Sequence, residues 1–363
     1  MRIDLLKELC ETPGVPGREE RVRAVVARET KGLFDRVHVD AMGSLIGVRE
    51  ATRRARAAKG RGRAAKGTRP SDVTKVLIAA HMDEIGFYVR HVDDNGFLWL
   101  NPAGGFDPRN LFSRRVLVVT ESGDINGVLN PGGKPIHISS DAERSKVPGT
   151  EEFYVDLGMK ASEAKRLVQI GDYVVMHEPF METPRCVVSK ALDNRMAVFV
   201  AIEAVRKVAA ARGGHGCEIA VAFTTQEEVG LRGAMTSANT YGADIGVGLD
   251  VNLACDTPGV PDTQRVTRQG DGVAVMIQDS SMIADAGLVS QACTVARRKG
   301  IPHQRAILPR GGQDAAAIQR AGRGARCIAF GPGTRYIHTV TEMVDKGDLR
   351  ATIDLLSALL MEW

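Results

Sequence analysis

Apolar and charged positions alternate with a helical period over the first 32 residues, interrupted by the breaker Pro13-Gly-Val-Pro-Gly17. The pattern predicts a short opening helix and a second one over 18–29, with apolar side chains on one face. Segments 33–39 and 44–48 read as strands. Lys75-Val-Leu-Ile-Ala-Ala80 is an almost unbroken apolar run ending at His81, as suits a strand buried on both faces. From about 86 to 185 the texture changes. Short β-prone pieces (87–92, 97–100, 116–120, 172–176) alternate with Gly, Pro, Asn and Asp turns, and a helical period appears only around 162–168. Beyond 192, helical segments (196–208, 287–298, 315–320, 348–361) alternate with strands (217–224, 243–249, 303–308, 325–330). This alternation predicts an α/β fold: an open, mostly parallel sheet flanked by helices. A small β-rich domain is inserted into it. The expected division is a first catalytic part over 1–85, the insert over 86–185 and a second catalytic part over 186–363.

The 363 residues have an ordinary globular composition, 44% hydrophobic and 25% charged. No apolar run approaches the ~20 residues of a membrane span. Six scattered cysteines form no C-x-x-C pair, which argues against a cysteine zinc finger and for reduced thiols in a cytoplasm. The net charge of +4 is carried by one stretch. Residues 51–70 hold eight basic residues and no acid, and without them 40 basic residues face 44 acidic ones. That stretch has no aromatic, so it reads as a mobile surface loop rather than a nucleic-acid face.

Three apolar runs end at ionisable residues: His81, the pair Glu227-Glu228, and Asp250. Ligands of open α/β sheets gather outside the carboxyl ends of the strands, so these endings are expected to share one crevice. Asp193 precedes a buried helix, and His338 follows a Gly-Pro-Gly loop. Each has an ordinary reading: a helix N-cap for Asp193, a turn for Asp250, a solvated pair for Glu227 and Glu228, core imidazoles for the histidines. Together they have the makeup of a metal centre. Two imidazoles and three carboxylates suit Zn, Co or Mn rather than a thiolate site. Two ions sharing one carboxylate leave each with three protein ligands and room for a shared water. One of the adjacent glutamates then binds metal while the other faces that water as general base; position alone leaves open which does which. Asp83 is placed to accept the second N–H of His81. The chain has no H-E-x-x-H or G-x-S-x-G, and Gly132-Gly-Lys134 runs into Pro135, so it is no P-loop.

These residues sit in motifs resembling the tetrahedral aminopeptidases, dinuclear metallopeptidases that include glutamyl and deblocking aminopeptidases. The motifs are Thr12-Pro-Gly-Val-Pro-Gly-Arg-Glu-Glu20, Ala80-His-Met-Asp-Glu-Ile-Gly86, Ala191-Leu-Asp-Asn-Arg195, Gln226-Glu-Glu-Val-Gly-Leu-Arg-Gly-Ala234, Gly311-Gly-Gln-Asp-Ala315 and Thr334-Arg-Tyr-Ile-His338. The resemblance implies that His81, Asp193 and Asp250 bind one ion and Asp193, Glu228 and His338 the other. It also implies that Glu227 activates a hydroxide between them, that Asp83 orients His81, and that the Asp193–Asn194 peptide is cis. It implies a PDZ-like or barrel insert that makes dimers, and assembly up to a tetrahedral dodecamer. Peptides are the implied substrates, with no nucleic-acid or membrane partner. A related hydrolase of N-acylated amino acids is the alternative, and a decayed assembly scaffold the non-enzymatic one. Gln313 stands where the resembling family commonly has Thr, Ala197 where it often has Gly, and Phe330-Gly-Pro-Gly333 is unusually glycine-rich.

Overall fold

The computed structural model describes residues 1–52 and 73–363. The basic loop expected at 51–70 lies, apart from its first two residues, outside the described residues. An eight-stranded sheet forms the main body. Its spatial order is Arg36–Val39, Leu45–Arg49, Glu218–Thr224, Lys75–His81, Ile245–Leu249, Arg326–Gly331, Val273–Gln278, His303–Ile307. The four central strands, from Glu218–Thr224 to Arg326–Gly331, are mutually parallel, and antiparallel pairings appear only towards the two sides. The central strands are buried almost throughout, which explains why they read as continuous apolar runs.

Helix Leu192–Ala210 packs on the Lys75–His81 strand and against helices Ile3–Glu11 and Lys346–Glu362. Its apolar residues therefore cover nearly the whole circumference. A second helix, Arg232–Tyr241, packs on the Glu218–Thr224 strand. The periodicity gave no sign of it, because Gly, Thr, Ser and Asn occupy half of its positions. Strand Val273–Gln278 was likewise not anticipated.

Residues between 86 and 176 form a closed antiparallel barrel of six strands, in the order Gly86–Val92, Leu98–Ala103, Phe153–Asp156, Gly123–Pro131, Arg114–Thr120, Tyr173–Met176. It has its own core around Phe87, Leu98, Leu100, Val118 and Phe153. Of the two forms expected for the insert, the barrel is the one adopted. A third sheet, of five short strands, has no counterpart in the sequence reading. It runs Met181–Glu182, Cys186–Ser189, Glu342–Asp345, Gly333–Arg335, Asn252–Leu253, and it joins chain on either side of Asp193 and His338. Among the described residues, no helix is long and apolar enough to cross a membrane.

Candidate metal centre

Parallel register sets the site. Thr224 lies opposite His81, and Ala79 opposite Gly248, so three adjacent strands release His81, Glu227-Glu228 and Asp250 at one edge. Helix Leu192–Ala210 brings in Asp193 through a first turn that departs from helical geometry at Asp193 and Asn194, and the peptide between these two is cis. His338 arrives in a left-handed conformation after the Gly333–Arg335 strand. Gly331 is required by a close approach: a Cβ there would stand 1.7 Å from the Asp250 carbonyl oxygen. The glycine-rich segment thus lets the Asp250 turn pass.

All six residues line one cavity of about 590 Å³. Asp193 reaches two ways, Oδ1 standing 3.3 Å from His81 Nε2 and Oδ2 3.4 Å from His338 Nε2. Glu228 Oε2 is 3.4 Å from His338 Nε2. Glu227 Oε2 is 3.8 Å from His81 Nε2. Donor atoms of His81, Asp193 and Glu228 lie within 4.8 Å of one another, as do those of His81, Glu227 and Asp250.

Asp83 works differently from the expectation. The hydrogen-bond partner of His81 Nδ1 is the Asp83 backbone carbonyl, at 3.1 Å, while the carboxylate is 3.6 Å away. This leaves Nε2 facing the cavity. The Asp83 carboxylate instead accepts the backbone N–H groups of Glu227 (3.1 Å) and Glu228 (3.0 Å). Glu342, which the sequence gave no reason to single out, does the same across the cavity. Its Oε1 accepts from His338 N and its Oε2 from Asp193 N, each at 2.8 Å. Two buried carboxylates therefore each fix the backbone of two lining residues.

The electrostatics fit a cation. Burial raises Glu227, Glu228 and Asp250 above the usual carboxylate range, and neighbouring acids add to this. Burial alone would lower His81 and His338. The carboxylates of Glu227, Asp193 and Asp83 instead lift His81 well above its ordinary value, and those of Asp193 and Glu228 lift His338 to about 12. Glu228 Oε1 is buried and has no hydrogen-bond partner among the described residues. An unpaired lone pair in a crowd of acids is what a positive ion would satisfy, and the imidazole and carboxylate donors suit divalent Zn, Co or Mn.

Gln313 packs below this edge. Its Nε2 donates to Asp279 Oδ2 (3.3 Å) and its Oε1 accepts from Ala315 N (2.8 Å). A Cβ at Gly248 would meet that oxygen at 1.9 Å, so the glutamine fits because residue 248 is glycine.

Comparison with known proteins identifies the family. The family model described as M42 glutamyl aminopeptidase matches residues 62–355. A putative aminopeptidase of Acetivibrio thermocellus is 32% identical over 97% of this chain and 96% of its own. A lysyl aminopeptidase of Pyrococcus furiosus is 30% identical over 99% and 96%. Among solved structures, an aminopeptidase from the archaeon Desulfurococcus kamchatkensis superposes with a TM-score of 0.89 at 32% identity, covering 99% of this chain and 94% of that one. The TET1 peptidase of Pyrococcus horikoshii, described as assembling into a tetrahedron or an octahedral shell, superposes with a TM-score of 0.84 at 31% identity over 99% of each chain. The family model spans most of the chain and these relatives cover nearly all of it, so the chain belongs to the M42 family of metal-dependent aminopeptidases.

Proposed function

We propose that the chain releases N-terminal residues from peptides using two divalent cations. His81, Asp193 and Asp250 hold one, Asp193, Glu228 and His338 hold the other, and Glu227 is the general base. The observation that carries this reading is the divided reach of Asp193, with one oxygen towards each histidine. Two dications against Asp193, Glu228 and Asp250 leave one positive charge, which favours an anionic transition state. When bound, the cations supply an acidified water and polarise the scissile carbonyl. Glu227 takes the proton of that water and passes one to the leaving amine nitrogen. Asp83 and Glu342 keep the backbone of the ligands in place.

The same reading divides the chain into catalytic parts at 1–85 and 186–363 and a dimerisation module at 86–185, within a homo-oligomer ranging from a dimer to a tetrahedral dodecamer. The assembly of the Pyrococcus horikoshii relative supports it. So does the exposure of Ile136, Ile138 and Val147 between two barrel strands. Six scattered cysteines with no C-x-x-C pair fit a reducing cytoplasm.

The test is chelator-stripped protein reloaded with Zn, Co or Mn, with the bound metal counted, assayed on aminoacyl-p-nitroanilides and on N-acylated amino acids. Two ions per chain and release from the nitroanilides are expected. Turnover of the acylated substrates alone would replace the peptidase by an amidohydrolase. No bound ion under any loading would leave only a scaffold.

A further inference from the structure

The Pro13–Gly17 breaker and the three charged residues after it take no part in the mechanism above, yet Glu19 is buried, at 3% exposure. Its Oε1 accepts two backbone N–H groups, from Gly17 (2.8 Å) and from Gln226 (3.0 Å). Arg18 and Glu20 pair with each other (3.1 Å), and Glu19 makes no ion pair among the described residues. Burial and the charge of Asp83 push its carboxyl up to about 7, against the pull of the two N–H groups. A carboxylate kept in such a place costs stability. Its footing is fixed from two sides: Glu84 N donates to the Gly14 carbonyl (2.9 Å) and the Tyr88 hydroxyl to that of Pro16 (2.7 Å).

The contact falls on a turn that needs holding. Gln226 has a φ of 56°, in the left-handed region that side chains disfavour, directly before Glu227 and Glu228. Three consecutive N–H groups of this turn end on buried carboxylates, that of Gln226 on Glu19 and those of Glu227 and Glu228 on Asp83. We propose that Glu19 is a positioning residue: by holding the Gln226 backbone it sets the directions in which Glu227 and Glu228 enter the cavity. The inference rests on the aminopeptidase reading, in which the turn carries the general base and one ligand of the ion at His338. It carries no ligand of the ion at His81 and Asp250. Loosening the turn therefore acts on the base and on one ion, and spares the other.

The experiment compares wild type, Glu19→Met, which has no acceptor, and Glu19→Gln, which keeps one. Three readouts are taken: kcat and KM on an aminoacyl-p-nitroanilide, the affinity of each ion by chelator competition, and amide hydrogen exchange across 226–228 in metal-free protein. Glu19→Met should lower kcat and weaken one of the two ions by ~30-fold each, the scale of lost support behind a ligand. KM should stay within about threefold, since nothing that holds substrate is removed. Exchange across 226–228 should quicken by about tenfold, while the Lys75–His81 strand stays protected. Charge-assisted hydrogen bonds are roughly twice as strong as neutral ones, so Glu19→Gln should show the same pattern at about fivefold. A Glu19 that only braces the fold predicts lower stability with kcat, both ions and exchange across 226–228 as in wild type, and that result would overturn the proposal. If Glu19→Met does not fold, Glu19→Gln decides: kcat and both affinities within twofold of wild type would overturn it equally. If metal-loaded wild type cleaves no nitroanilide, the peptidase reading fails instead, and ion affinity with amide exchange still decides the role of Glu19.

Discussion

Replacing Arg195 by methionine should cost the protein about 4 kcal/mol of stability, although Arg195 touches neither substrate nor metal ligand. Its side chain is fully buried. Nη1 donates to the carbonyls of Leu9 (2.6 Å) and Thr12 (2.8 Å), and Nη2 to that of Gly14 (3.1 Å) and to Glu84 Oε1 (3.5 Å). The guanidinium thus ties the Thr12–Gly14 turn to the first turn of the helix that carries Asp193. Hydrogen bonds to charged groups contribute roughly 1.5–3 kcal/mol each, and two buried carbonyls and one half-buried one would lose theirs. Methionine recovers some of the packing and the loosened turn admits water, so the sum is not realised in full. Glu84 keeps a partner in Lys190, at 2.6 and 2.8 Å, which avoids the ~3–5 kcal/mol penalty of a stranded buried charge. About 4 kcal/mol is a large share of the ~5–15 kcal/mol typical of a folded domain.

The assay is urea unfolding followed by circular dichroism, at one protein concentration and with metal removed so that ligand linkage does not mask the change. A loss below about 1 kcal/mol would refute the argument, since it would mean that the carbonyls find other partners at no cost. Arg195→Lys is the informative companion. It keeps the charge but offers a single point of donation where the fork serves three carbonyls, so it should recover less than half of the loss.

Three further outcomes are expected. Glu227→Gln should retain fold and bound metal yet lose at least ~100-fold in turnover, and near-native turnover at full metal content would remove Glu227 from the base role. Glu342→Gln keeps one acceptor but turns an amide N–H₂ towards a backbone N–H. It should weaken metal binding about 10- to 100-fold in chelator competition, and unchanged affinity would count against positioning through Asp193 and His338. Burial would raise Glu29, but Arg206, Arg2 and Arg28 override it and pull the carboxyl down to about 2. Its stabilisation is therefore present above pH ~4.5 and lost as pH falls through about 2. Glu29→Gln should cost ~1–2 kcal/mol at neutral pH after allowance for solvent screening, and a difference from wild type that did not shrink on acidification would contradict the assignment.

What could be read in advance, and what could not, follows from how each group acts. A parallel strand buried on both faces writes itself as an apolar run, so the run before His81 and those before Glu227 and Asp250 were legible, and their common edge followed from the sheet type. The five-stranded sheet left no such trace. Its strands are two to four residues long, too short for a period, and exist only because distant segments pair, as Ser189 does with Glu342. Side-chain ligands announce themselves by residue type. The groups that hold them act on backbone N–H groups, which every residue but proline has, so neither the contact of Asp83 with residues 227 and 228 nor that of Glu342 with residues 193 and 338 has a spacing to recognise. Asp83 shows the consequence. Two positions from His81 it suggested a partner for the imidazole, yet the turn offers its own carbonyl first and leaves the carboxylate free to fix the glutamate pair.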